Sequence, residues 1–168
     1  MKKIYILIFG ILFFYNVNAQ FYYKTAVGLK LGWGIGLNAK HFIGDNSDHA
    51  VEVALDFQKG GFIFNGYYEY HLEAFKADGL RWFFGGGPYI GIWDKGSQWS
   101  KIEDFGDKNK LFVSGIVAIM GIEYTFNNFP INVALDLQPR YNFIGSSQMW
   151  ATGGITLRYT FKEKEDEE

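Results

Sequence analysis

Seven stretches of this chain alternate apolar and polar residues at every second position, a period that only β-strands satisfy. In Thr25–Trp33 the apolar set is Val27, Leu29, Leu31 and Trp33. In Ala50–Gln58 it is Val51, Val53, Leu55 and Phe57. In Gly61–Phe75 it is Phe62, Phe64, Tyr68, Tyr70 and Leu72. The same parity runs through Leu80, Trp82, Phe84, Pro88, Ile90 and Ile92; through Phe112, Ile116, Met120, Ile122, Tyr124 and Phe126; through Ile131, Val133, Leu135, Leu137, Tyr141 and Phe143; and through Ile155, Leu157, Tyr159 and Phe161. LNAKHFI, Leu37–Ile43, makes a weaker eighth strand. Its parity is out of step with the first unless a turn intervenes, which Gly34-Ile35-Gly36 can supply because glycine tolerates positive φ.

Alternation alone admits a soluble sandwich or a lipocalin-like barrel with the apolar faces inward. The ends of the apolar faces decide otherwise. Trp33, Tyr68, Tyr70, Trp82, Tyr124, Phe126, Tyr159 and Phe161 fall near strand ends, and aliphatic residues fill the middles. That is the aromatic girdle of a barrel crossing a membrane. The opposite face mixes charged residues with glycine, as a narrow polar lumen would, whereas glycines weaken a strand that merely faces water. The prediction is all-β: an eight-stranded antiparallel up-and-down transmembrane β-barrel. An even strand count leaves no edge and puts both termini on one side. The turns at Gly44–His49, Lys76–Gly79 and Asn127–Pro130 are then periplasmic. Those at Gly34–Gly36, Lys59–Gly61, Asp94–Lys110 and Gly145–Trp150 face outside, and the longest connection is among them.

Composition agrees. Aromatic residues make up 20% of the chain, with 21 glycines and only 3 prolines, which favours strands over helices. There is no cysteine, so disulfides and thiolate metal sites are excluded. A net charge of −2 offers no field for nucleic acid. Residues 1–19 read as a cleavable signal peptide: Lys2 and Lys3, then an apolar run from Ile4 to Tyr15, then Val17-Asn18-Ala19. The barrel domain is expected over 20–161. The last residues, KEKEDEE, 162–168, read as an acidic, disordered periplasmic tail.

AKHFIGDNSDHAVEV, GFIFNGYYEYHLEAF, LRWFFGGGPYIGIWD and GIEYTFNNFPINVALDLQP together resemble a group of small, uncharacterised outer-membrane β-barrels of Gram-negative bacteria. The resemblance implies a cell outer-membrane location, with lipid and lipopolysaccharide around a monomer. It brings no catalytic residues and no cofactor. GGITLRYTF also resembles the C-terminal strand signal read by the barrel-assembly machinery, except that seven further residues follow Phe161.

The candidate site is the inward face. Glu69, His71 and Glu73 share one parity, together with Lys30, Lys40, Glu52, Asp56, Arg81, Glu123, Asp136, Arg140 and Arg158. Five basic residues face six acidic ones, so an internal salt-bridge network is expected inside a barrel with no open pore. A small channel is the alternative for this face. The enzymatic alternative is a lipid A deacylase or acyltransferase, which needs a serine, a histidine base and an orienting acid at the rim or outer face. Ser114 is the one serine inside a strand and pairs with no histidine at an evident shared depth. His41, His49 and His71 lack metal-ligand spacing, and Asp45-Asn46-Ser47-Asp48 lacks the glycine and distal glutamate of a calcium loop. GGGP at Gly85–Pro88 lies within a strand, so it reads as a bend or as space and not as a phosphate cradle. Pro88 and Pro139 should each distort the sheet locally. Trp93, Trp99 and Phe105 stand in the long connection, with Trp99 and Phe105 as contacts for an external ligand if the loop serves recognition.

Overall fold

A computed structural model describes residues 23–44, 47–95, 110–145 and 149–161. Residues 1–19, Trp99, Phe105 and the tail at 162–168 lie outside them. The strands are β1 (Thr25–Gly32), β2 (Ile35–Ile43), β3 (His49–Gln58), β4 (Gly61–Glu73), β5 (Leu80–Asp94), β6 (Lys110–Thr125), β7 (Ile131–Ile144) and β8 (Met149–Phe161). Each pairs antiparallel with the next, and β1 pairs with β8 from Thr25↔Phe161 to Gly32↔Gly154, which closes the barrel. Closure leaves no edge strand with unpaired backbone groups. One end carries the start of β1 and the end of β8; it is the proximal end here, and the opposite end is distal.

The faces are sorted as the period-two pattern requires. Leu29, Leu135, Ile155 and Leu157 point outward and are each more than half exposed, whereas Lys40, Glu69, Glu123 and Arg158 point inward and are buried. The apolar faces therefore do not line a cavity, as they would in a lipocalin. Glycine makes room for the long inward side chains at Gly28, where a Cβ would stand 2.7 Å from the Arg158 Cγ.

Several boundaries differ from those read in the sequence. The first turn is Trp33-Gly34, and Gly36 already pairs with Asp56 inside the sheet. Hence Trp33 lies in the turn, exposed and directly after the end of β1. Trp93 belongs to β5 and is buried inside the barrel, not carried on the external loop. Trp150 belongs to β8 and is likewise buried. The two longest strands, β5 and β6, reach further than the alternation of outward aliphatics suggested, and their distal ends carry Trp93, Leu111 and Val113 into one buried cluster.

Both prolines leave a mark. Between Asn65↔Tyr89 and Tyr68↔Gly86, β4 and β5 keep register but the intervening residues, Pro88 among them, are unpaired across that seam. The same break separates Val117↔Arg140 from Met120↔Leu137 opposite Pro139. A missing N–H removes the ladder bond on one side only: Pro88 still stands opposite Ile116 and Pro139 opposite Ala151. A register shift at Ser114/Gly115 adds a bulge to the β6–β7 seam.

Candidate functional site

Inside the proximal half, neighbouring strands place acids and bases in one layer. The Lys40 ammonium lies 2.7 Å from Glu69, 3.1 Å from Glu52 and 3.4 Å from Glu123. Arg158 donates from Nη2 to Glu52 at 2.8 Å and from Nη1 to the Asn132 side-chain oxygen at 2.9 Å. His71 has Nε2 3.1 Å from Glu69 and Nδ1 3.2 Å from Glu123. Three carboxylates thus surround two permanent cations and an imidazole, all of them nearly inaccessible to solvent. Buried charges at this depth persist only when paired. Rings close the layer: the Phe83 face receives Lys40 at 4.6 Å, Phe42 lies edge-on to His71 at 4.7 Å, and Tyr23 lies edge-on to Phe42 at 5.1 Å.

A second layer follows toward the distal end. Lys30 pairs with Asp136 at 2.7 Å. Arg140 donates to Asn65 at 2.5 Å and to Gln138 at 2.8 Å, and Asn65 in turn donates to Asp56 at 2.9 Å. The Arg140 guanidinium lies over Tyr89 at 4.9 Å and Trp150 at 5.0 Å. Tyr89 and Trp150 both donate to Asn142, the latter at 3.1 Å, and Trp93 meets Trp150 edge-on at 6.1 Å. Leu111, Val113 and Ile63 are buried in the same cluster.

Of the residues the alternation put inside, Lys30, Lys40, Glu52, Glu69, His71, Arg81, Glu123, Asp136, Arg140 and Arg158 are buried. Asp56 is partly exposed near the distal mouth. Glu73 is the exception: it is the last residue of β4 and is exposed at the proximal rim, because β3 pairs with β4 only as far as Tyr70 and leaves Glu73 covered on one side alone. Arg81 stands outside the central cluster, donating to the Ser47 carbonyl and lying over Phe42 at 4.8 Å. Sequence reasoning passed over Tyr89, Trp93, Trp150 and the amides Asn65, Gln138 and Asn142. All of them carry the inward parity, Trp150 in a segment that reads as loop; what hid the others was the attention given to charge.

Outside, Tyr68, Trp82, Tyr124, Phe126 and Phe161 are exposed, and Tyr70 and Tyr159 are half-buried. His49 accepts them as neighbours: its Nδ1 is 2.9 Å from the Tyr68 hydroxyl and its ring is 4.9 Å from Tyr70. His41 Nδ1 lies 2.8 Å from the Thr25 hydroxyl. Both histidines sit near the proximal end, whereas Ser114 lies in the distal half of β6. Among the described residues no group of His, Asp and Glu is arranged to hold a metal ion; the centre of the three glutamates is occupied by the Lys40 ammonium.

No protein-family model and no curated protein matches the chain. Among solved structures it is similar to the N-terminal β-barrel domain of Pseudomonas aeruginosa OprF, with a TM-score of 0.57 and 14% identity, covering 82% of this chain and 95% of that one. At that identity the likeness concerns the fold: a closed, eight-stranded, up-and-down barrel.

Proposed function

We propose that the chain is an outer-membrane protein: a monomeric barrel with a plugged interior and no open pore, whose role is structural or surface-interactive and involves no reaction. The observation that carries this reading is the inversion of the two faces. Outward apolar side chains ring the whole barrel, while ionic groups are buried within it. A continuous apolar belt of that kind is a contact surface for hydrocarbon, and the closed sheet pairs each strand with both neighbours, where such a medium offers the backbone no hydrogen bonds. The likeness to the OprF barrel domain supports the location. On this reading residues 1–19 direct export, β8 is read by the barrel-assembly machinery, lipid and lipopolysaccharide surround the belt, and the proximal end is periplasmic.

Expressed as the full-length chain, the protein should fractionate with the outer membrane. It should run compactly on an SDS gel when unheated and shift on boiling. Purified into a planar bilayer, it should give no sustained stepwise conductance. A soluble periplasmic protein without a heat shift overturns the location; sustained large conductance overturns the plugged interior.

A further inference from the structure

We propose that the β4–β5 turn at the proximal rim binds a zwitterionic phospholipid, taking its phosphoethanolamine headgroup into a recess of the turn and its chains along Phe75 and Trp82. The inference rests on the outer-membrane reading, which places this rim at the inner leaflet.

The turn is built at a cost. Phe75 (φ 54°) and Lys76 (φ 53°) are consecutive non-glycine residues in the left-handed region. For a bulky side chain that is a true outlier, which persists only where surrounding structure enforces it. Three backbone bonds do so: Ala74 N–H to the Leu80 carbonyl at 2.9 Å, Ala77 N–H to Ala74 at 3.0 Å and Leu80 N–H to Ala77 at 3.1 Å. The consequence is directional. Ala74 is fully buried, while Phe75 is turned outward, 77% exposed, with its ring edge-on to Trp82 at 5.6 Å. Phe75 thus prolongs the outward apolar belt past the end of the strand, onto the rim, where a protein in water gains nothing from it. An apolar ring at the boundary of hydrocarbon and headgroups does gain.

Beside it the turn cups a recess of about 390 Å³, lined by Glu73, Lys76, Asp78 and Arg81 with Leu80 at its margin. That volume is in the range of small-ligand sites, about 300–1,000 Å³. The lining carries two cations and two carboxylates. A headgroup with only negative charge would meet Glu73 and Asp78 as well as the bases. Arg81 is buried and donates to the Ser47 carbonyl, so the exposed pair Lys76 and Asp78 carries the selectivity, and a headgroup with a phosphate and an ammonium meets both signs there. Leu80 connects the recess to the outward face, so a headgroup in the recess leaves the chains to run over Trp82 and Phe75.

The test uses the full chain in a nonionic detergent, titrated with dioleoyl phosphatidylethanolamine or dioleoyl phosphatidylglycerol, with retained lipid counted by native mass spectrometry. One phosphatidylethanolamine should be retained under activation that strips phosphatidylglycerol. The double variant Lys76→Ala/Asp78→Ala should lower that retention about fivefold, as expected for two partly exposed charge contacts. Phe75→Asn, which suits the left-handed backbone better than Phe, should lower it too without loss of the heat-shifted band. A heat-shifted barrel that holds both lipids equally, or whose variants hold as much as the parent, overturns the site alone. A chain with no heat shift and no outer-membrane location overturns the outer-membrane reading and the site with it.

Discussion

The two halves of the barrel interior solve the same problem with different chemistry. In the proximal half ions face ions: Lys40 touches three glutamates, Arg158 reaches Glu52 and Glu123, and His71 reaches Glu69 and Glu123. In the distal half the Arg140 cation is solvated by neutral groups, the amides of Asn65 and Gln138 and the faces of Tyr89 and Trp150, and reaches Asp56 only through Asn65. The first arrangement is interdependent, because every carboxylate there needs a particular cation. The second spreads one charge over polarisable rings and dipoles, each of which also packs. A lumen of this width can therefore be held closed by ionic pairing or by aromatic packing around a cation; this chain relies on the first at the proximal end and sets the second beside the Lys30–Asp136 pair at the distal end.

The largest effect should come from breaking the proximal half. Lys40→Met leaves Glu52, Glu69 and Glu123 around an apolar side chain, an uncompensated buried charge that costs about 3–5 kcal/mol. Urea unfolding of the purified barrel in detergent, followed by the heat-shifted band, should show the midpoint fall accordingly. Adding Glu69→Gln to Lys40→Met should recover part of the loss, since one orphaned charge is removed. If the second change deepens the loss, the glutamates are not held by Lys40. Arg140→Met probes the distal half and should cost less, about 1–3 kcal/mol, because the groups left behind are neutral and keep partners among themselves. An Arg140→Met loss equal to that of Lys40→Met would erase the distinction between the halves.

How much of this could be read from the chain depends on which property of a residue mattered. Parity was enough to put Lys40, Glu52, Glu69, His71, Glu123 and Arg158 on one face, because a strand's side chains alternate without exception in a regular ladder. It could not pair them. That Lys40 meets Glu123 across 83 residues of chain depends on closure and stagger of the whole sheet, which no local pattern encodes. Parity also failed at strand ends. Glu73 carries the inward phase but lies where the barrel has opened, and Trp150 carries it in a segment whose Gly-Ser-Ser approach reads as loop. Trp93 was the reverse case: next to a charged run, Asp94-Lys95, an aromatic looks like part of the loop until the β5–β6 pairing extends to Asp94↔Lys110. The girdle was legible because outward residues answer to the surroundings and not to one another.

The smallest effect is expected from that same last pair, and it isolates what burial contributes. Lys110 and Asp94 form an ion pair of the same kind as Lys30 and Asp136, but at 4.0 Å and with side chains 75% and 54% exposed, against 2.7 Å and near-complete burial for the other. Water solvates each exposed partner whether or not the other is present, and holding two long side chains together costs entropy. Lys110→Ala should therefore move the urea midpoint by less than about 0.5 kcal/mol of stability, and added salt should remove what difference there is. Lys30→Ala, by contrast, strands Asp136 where water cannot replace the ammonium, and its effect should survive the same salt. Equal shifts for the two alanine variants would mean that the distal lumen admits water as freely as the rim does.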